Sequence, residues 1–146
     1  MKRYIRHIIL LTALFVVAVG VGVSITTAAP TSIQWYDYNE GMILAKEQNK
    51  PSMIDFGADR CGACRKLDEE TFTDGRVIAL SESFVFIKVN TDKEREIVDK
   101  YGKIRFIPTT IFTDSQGHEI HRVIGFKNAD KFLKEMHTAL SKAEGS

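Results

Sequence analysis

The chain has 146 residues, 44% of them hydrophobic and 27% charged. This length and composition support one globular domain and exclude a second. Three of the 20 basic residues, Lys2, Arg3 and Arg6, lie at the very start, and without them the formal net charge changes from +1 to −2, so no basic surplus indicates a nucleic-acid partner.

Residues 1–29 are predicted to be a signal peptide or a signal anchor. The 18 uncharged residues at 8–25 would reach roughly 27 Å as a helix, close to the hydrocarbon thickness of a bilayer. No basic residue follows until Lys46, so the positive-inside rule places the remainder across the membrane. Small residues at 26–30 fit a cleaved signal peptide, whereas the long apolar run favours an uncleaved anchor. We therefore expect a periplasmic or otherwise extracytoplasmic domain over 30–146, anchored to the inner membrane.

After residue 30 the pattern alternates between strands and helices. Asp37 to Glu40 resembles a capping box, and the helix that it starts should end by Asn49, because Pro51 follows. The next predicted elements are a strand at 52–57, a helix from 61 to about 70, a break at 73–76 and a short helical turn at 77–80.

The second half of the domain continues the alternation and ends with a hairpin and a helix. Residues 84–90 are nearly all apolar, as in a strand that is covered on both faces. The elements that follow are a helix at 94–101, a hairpin of strands 109–113 and 119–124, and a helix from 128 to about 141 with Phe132, Leu133, Met136 and Leu140 on one stripe. The order is βαβαββα, with an additional strand near 33–35 also considered, and it predicts a sheet with helices on both faces.

Cys61 and Cys64 are the only cysteines, and they come directly after the apolar strand at 52–57. Two thiols at this spacing can form one disulfide, and a thiol at a helix start lies among unpaired backbone N–H groups that favour its thiolate. Arg60 and Arg65 add positive charge nearby. We interpret the pair as a redox centre in which Cys61 is the nucleophile and Cys64 the resolving thiol.

Three other interpretations of the cysteine pair were open to the sequence alone. A structural disulfide would close a ring of four residues, which stabilises by only roughly 2 kcal/mol. A zinc site would need His118 and His121 as further ligands, but residues three apart on a strand point to opposite faces. Two inert buried thiols at this spacing would be a coincidence.

Residues 55–67, with the sequence DFGADRCGACRKL, and the continuation ETFTD at 70–74 resemble the thioredoxin-fold family. Within it, the chain most resembles the C-terminal, periplasmic thioredoxin-like domain of the DsbD-type thiol:disulfide interchange protein, over roughly 35–140. The resemblance implies an α/β thioredoxin fold, here a central mixed sheet with helices on both faces, preceded by one N-terminal membrane or signal helix. We expect no cofactor and no metal.

The resemblance also implies a proton-transfer role for Asp55. This residue lies inside an apolar strand, where burial of an unpaired carboxylate should raise its pKa, and it could accept or deliver the proton of Cys64. Lys88, on the neighbouring strand, matches the position of the usual partner of that acid. The alternatives are a capped or solvent-facing strand end for Asp55 and a strand-edge lysine that reaches water for Lys88.

Pro108 stands at the start of a predicted strand, where a missing backbone donor is tolerated. Similarity to thioredoxins implies that the Ile107–Pro108 bond is cis and faces the cysteine pair, so that the backbone of Ile107 pairs with an extended segment of a partner protein. Arg60 completes the predicted substrate-binding residues. Gly125 and the residue after it rim the same groove or form a plain turn.

Two departures from thioredoxins affect the chemistry. Arg60 stands where thioredoxins usually carry Trp, and Gly62 and Ala63 replace the usual Gly-Pro between the cysteines. Both changes alter the electrostatics and rigidity that set the reduction potential, so the direction of electron flow stays open.

The function implied is an extracytoplasmic thiol:disulfide oxidoreductase that reduces protein disulfides, with electrons from a membrane donor of the disulfide-interchange type. Disulfide isomerases and apocytochromes c are the clients that the resemblance suggests. The alternatives are an oxidant or isomerase of the same fold, a non-catalytic peptide-binding module, and a carrier of a soft ion such as Cu(I) on the two thiolates.

Overall fold

The computed structural model describes residues 30–102 and 104–145. The predicted signal peptide or anchor at 1–29 lies outside the described residues. None of the helices in the described part combines the length and the apolar character that crossing a bilayer requires.

The described residues form ten elements: the seven of the order βαβαββα, together with the additional strand, the helix that starts after Asp37 and a short helix at the predicted turn 77–80. In chain order they are β1 (Trp35–Tyr36), α1 (Tyr38–Glu47), β2 (Ser52–Gly57), α2 (Gly62–Glu70), α3 (Gly75–Ser81), β3 (Val85–Asn90), α4 (Arg95–Lys100), β4 (Thr109–Thr113), β5 (Glu119–Ile124) and α5 (Ala129–Glu144). The additional strand lies at 35–36 rather than 33–35, and it is only two residues long.

Side-chain caps fix the starts of the helices close to where the sequence predicts them. The carboxylate of Asp37 accepts the backbone N–H of Glu40 at 2.9 Å before α1. The side chain of Asn128 accepts the N–H of Lys131 at 3.1 Å before α5. Each cap satisfies a backbone donor that has no partner inside the helix, which explains why these starts are readable from the sequence.

The five strands form one mixed sheet in the order β1-β3-β2-β4-β5. Strands β1, β3 and β2 are parallel, whereas β4 runs antiparallel to both β2 and β5. The predicted mixed sheet is therefore confirmed. Strand β2 lies at its centre, so the residues that follow its C-terminal end are held by neighbours on both sides.

Apolar layers cover both faces of this sheet, which confirms the predicted arrangement of helices. One layer contains Leu67 of α2 and Phe132 of α5, together with Phe86 and Phe112 of the sheet. The other lies under α1 and α4 and is built around Phe56.

The buried stripe of α5 differs slightly from the predicted one. Phe132 and Met136 are fully buried, but the face is completed by Ala129 and Ala139. The two leucines of the predicted stripe are only partly buried against the same core, because they lie at the edge of the helix face that meets the sheet.

Candidate active site

The cysteine pair lies where β2 passes into α2. Strand β2 ends at Gly57, and Cys61 is the N-cap of α2, with its sulfur accepting the backbone N–H of Cys64 at 3.1 Å. The two sulfurs form a disulfide, with the Cα atoms 5.2 Å apart. The predicted position of the first sulfur at the helix start is confirmed, and there the helix dipole favours its thiolate.

The two sulfurs differ in their access to solvent. Cys61 is half-buried, whereas Cys64 is buried at 7% exposure. Gly57 contributes to the close packing here, since a Cβ atom on it would lie 3.4 Å from the Cys64 sulfur. An incoming partner can therefore reach Cys61 first, with Cys64 behind it.

Asp55 is buried at 2% exposure in the middle of the sheet. Its Oδ1 has no hydrogen-bond partner in the described part of the chain. Burial raises the pKa of Asp55 from 3.8 to about 7, while the positive charge of Lys88 lowers it and the negative charge of Asp68 raises it. The solvent-facing alternative for Asp55 is therefore wrong, and the expected buried carboxyl is present.

A cavity of about 420 Å³ connects this carboxyl with the cysteines. Asp55, Cys61 and Cys64 all line it. The carboxyl of Asp55 and the sulfur of Cys64 therefore border the same cavity.

Lys88 is opposite Asp55 in the register of β2 and β3, but its ammonium group is engaged elsewhere. It forms an ion pair with Asp68 and lies 4.6 Å from the centre of the Trp35 ring. The Lys88 side chain is 44% exposed, so the alternative of a lysine that reaches water is partly right. Lys88 affects Asp55 through its positive charge, which lowers the pKa of the Asp55 carboxyl.

Asp68 is a residue of this cavity that the sequence analysis missed. It lies seven residues after Cys61 and four after Cys64, which is the spacing that places side chains on one helix face. That periodicity was the available signal.

The Ile107–Pro108 peptide bond is cis, as the family resemblance implied. Phe56 pairs with Thr109 in the antiparallel register of β2 and β4, so one further step places Pro108 opposite Gly57. The cis bond thus lies at the same end of the sheet as the cysteine loop.

The predicted groove residues near Pro108 are partly brought together. The N–H of Gly125 donates to the carbonyl of Pro108 at 2.8 Å, and Gly125 has a φ of +78°, so it forms a turn that is bonded to the cis-bond segment. The Phe126 ring lies 4.7 Å below the ammonium of Lys66. Arg60 is exposed beside Cys61.

The two histidines considered for zinc each contact a carboxylate. His118 pairs with Asp114 at 2.9 Å, and His121 pairs with Glu135 at 2.6 Å. The described ranges contain no group of three or more His, Cys, Asp or Glu that could hold a metal ion.

Comparison with known proteins agrees with this geometry. Residues 38–140 match the family of thioredoxin-like domains. The chain is 32% identical over 113 residues to the thiol:disulfide interchange protein DsbD of Ralstonia nicotianae, which covers 74% of this chain and 18% of that protein. The chain therefore spans about a fifth of the length of such relatives.

Solved structures show the same fold. A thioredoxin from Thermus thermophilus is similar with a TM-score of 0.70 and 27% identity, over 77% of this chain and 90% of that one. The C-terminal domain of Neisseria meningitidis DsbD, in its reduced form, has a TM-score of 0.62 and 23% identity, over 73% and 99%.

Proposed function

The chain belongs to the family of thioredoxin-like domains, and we propose that it is an extracytoplasmic thiol:disulfide oxidoreductase that reduces disulfide bonds in other proteins. One observation carries the proposal. The buried carboxyl of Asp55, without a partner for Oδ1, lines the same cavity as the cysteine pair. A purely structural disulfide would gain nothing from such a costly neighbour.

In the first step the Cys61 thiolate attacks one sulfur of a client disulfide. A mixed disulfide forms between Cys61 and the client, and the other client sulfur leaves as a thiolate. In the disulfide-bonded structure the backbone nitrogen of Cys64 lies 3.1 Å from the Cys61 sulfur. This N–H and the dipole of α2 stabilise the attacking thiolate. The exposed guanidinium groups of Arg60 and Arg65 add positive charge beside it.

In the second step Cys64 resolves the mixed disulfide. Asp55 takes the proton from the Cys64 thiol, and the resulting thiolate attacks the sulfur of Cys61. The bond between Cys61 and the client breaks, so the client leaves with both of its sulfurs reduced and the chain keeps the Cys61–Cys64 disulfide. A carboxyl with a pKa of about 7 is suited to accepting this proton and returning it later.

The groove beside the cis bond would hold the client during both steps. Ile107, a half-buried residue next to Pro108, would offer its backbone hydrogen bonds to an extended client segment. Arg60 directly precedes Cys61 in the sequence. Its side chain contacts the client near the client's disulfide.

Re-reduction of the Cys61–Cys64 disulfide needs a dithiol donor. We assign this role to a membrane electron donor of the disulfide-interchange type, because the chain resembles a part of DsbD and begins with an apolar stretch at 8–25. An anchor would raise the effective concentration of donor and domain. Disulfide isomerases and apocytochromes c are the proposed clients.

The test is covalent trapping in the native membrane. Cys64→Ser removes the resolving sulfur, so we expect client proteins to accumulate on Cys61 as mixed disulfides that thiol reductants release. Cys61→Ser is the matched control and should trap nothing. Equal trapping by the two variants, or none by either, would contradict the proposal.

Insulin reduction separates an enzyme from a binding module. The wild-type chain should reduce insulin with a thiol donor, and Cys61→Ser should lose this activity entirely. A peptide-binding module would show the same result with both chains.

A further inference from the structure

Three exposed arginines lie at the end of the sheet that carries the cysteine pair. Arg60 directly precedes Cys61, Arg65 lines the cavity next to the cysteines, and Arg105 precedes the segment of the cis bond. Within the described part of the chain, the side chains of these arginines form no ion pair and no hydrogen bond. Their charges are therefore available to a partner.

Three of the four carboxylates that line the cavity beside the cysteines have partners. Asp59 pairs with Lys93 at 2.9 Å, and Asp68 pairs with Lys88. The carboxylate of Glu94 accepts the backbone N–H of Asn90 at 2.6 Å. Asp59 and Asp68 each have their own cation, so only Glu94 and the partly ionised Asp55 of this cavity oppose the charges of the three arginines, which leaves a positive surplus at this end of the sheet.

Two large apolar side chains are exposed on the same end. Phe106 is 66% exposed and Ile124 is 54% exposed. Thr109 links them to the groove, because its hydroxyl donates to the carbonyl of Phe106 at 2.6 Å and its backbone pairs with Ile124. Both side chains are exposed at the end of the sheet that carries the disulfide, where a docked client protein would cover them.

We infer that this cationic surface, defined as Arg60, Arg65, Arg105, Phe106 and Ile124, selects client proteins whose disulfide is flanked by acidic side chains. The inference rests on the proposed function, since it names the class of disulfide that the same cysteine pair reduces. Complementary charge accelerates the encounter of the two proteins and orients the partner. It also disfavours partners with basic side chains beside the disulfide, because like charges repel.

The net charge of the domain makes this local surplus informative. Residues 30–146 carry more acidic than basic side chains, so the domain as a whole does not attract an acidic protein. The arginines place positive charge at the end of the sheet that carries Cys61. An acidic client is thereby oriented with its disulfide toward the nucleophile.

The test compares peptides that differ only in the charge beside one disulfide. The full chain, fully reduced and kept in an uncharged detergent, is mixed with peptides whose disulfide is flanked by Asp, by Asn or by Lys. The second-order rate constant of disulfide reduction is measured by acid quench. At low salt we expect the Asp peptide to react about tenfold or more faster than the Lys peptide. At about 0.5 M salt screening should bring the three rate constants together.

Two variants locate the effect on the chain. Arg65→Gln combined with Arg105→Gln should reduce the ratio between the Asp and Lys peptides to within about twofold. Lys46→Gln combined with Lys50→Gln is the matched control, because it likewise removes two positive charges, here near the C-terminal end of α1 and away from the end of β2 that leads to the cysteines. This control should keep the full ratio. Arg60 is left unchanged because it adjoins the nucleophile.

The outcomes separate the inference from the proposed function. Equal rate constants for the three peptides at low salt, or a faster Lys peptide, would overturn the inference and leave the reductase in place. Failure of the reduced chain to reduce any peptide would overturn the proposed function itself. If the double variant does not fold, the salt dependence of the unmodified chain still decides the question.

Discussion

At the scale of single residues, the account depends on the carboxyl of Asp55. The sheet buries it to 2% exposure, and burial brings its pKa to about 7. A group with this pKa can serve the resolving cysteine near neutral pH in both directions. Burial of Asp55 therefore has two effects: it brings the pKa of the carboxyl close to neutrality, and it lowers the stability of the fold.

Asp55→Asn should slow the resolving step without preventing formation of the mixed disulfide. Loss of a positioned proton acceptor costs typically about 100-fold or more in rate. We expect the mixed disulfide with a model client to persist longer by that factor, as followed by acid quench and mass spectrometry. The rate of the first attack, measured by alkylation of Cys61, is the internal control. An unchanged lifetime would remove Asp55 from the mechanism.

Asp55 should also make stability depend on pH. An unfolded Asp ionises near 3.8 and the folded Asp55 near 7. Between these values the folded chain holds a proton that the unfolded chain has lost, so this group makes stability fall as pH rises through the window. Relative to the wild type, Asp55→Asn should gain up to about 4 kcal/mol in free energy of unfolding from pH 4 to pH 7. Urea titrations followed through the single tryptophan, Trp35, measure this, and parallel curves for the two chains would contradict it.

The charges that flank Asp55 give a paired prediction. Lys88 lowers its pKa and Asp68 raises it. Lys88→Met should therefore move the titration of Asp55 to higher pH, and Asp68→Asn should move it to lower pH. Carbon NMR of the carboxyl group in the oxidised chain measures both shifts. Two shifts of the same sign would show that the charges act by another route.

At the scale of elements, local signals account for most of what the sequence predicted. The cap at Asp37, the strand at 52–57 and the hairpin that begins at Thr109 are each specified by neighbouring residues. The ion pair of Lys88 with Asp68 was not predicted, because it joins a strand to a helix twenty residues away. The register of β2 and β3 places Asp55 opposite Lys88, as expected from the sequence. Only the folded structure shows that the ammonium group of Lys88 contacts Asp68.

The N-cap of α1 can be tested alone. Asp37→Ala leaves the N–H of Glu40 without its acceptor, so the free energy of unfolding should fall by about 1 kcal/mol. The urea titration that follows Trp35 gives this value. Asp92→Ala is the control, since it removes an exposed carboxylate without removing a cap, and its stability should change little. A loss of the same size in both variants would show that the cap contributes nothing.

At the scale of the whole molecule, the fold places three features at one end of the sheet. These are the cysteine pair at the start of α2, the cis bond before β4 and the surplus of positive charge around them. Each comes from a different part of the chain, and the central position of β2 brings them together. The cysteine pair at a helix start is predicted by the residues themselves and the cis bond by the family resemblance, whereas the surplus of charge becomes visible only when the ion pairs are known.

The direction of electron flow is the central claim, and the reduction potential of the Cys61–Cys64 pair tests it most directly. The full chain is equilibrated with glutathione buffers, and the fraction of oxidised pair is measured by alkylation and mass spectrometry. A reductant of protein disulfides should have a potential more negative than about −200 mV. A value near about −120 mV, in the range of DsbA, would make the chain an oxidant and contradict the account.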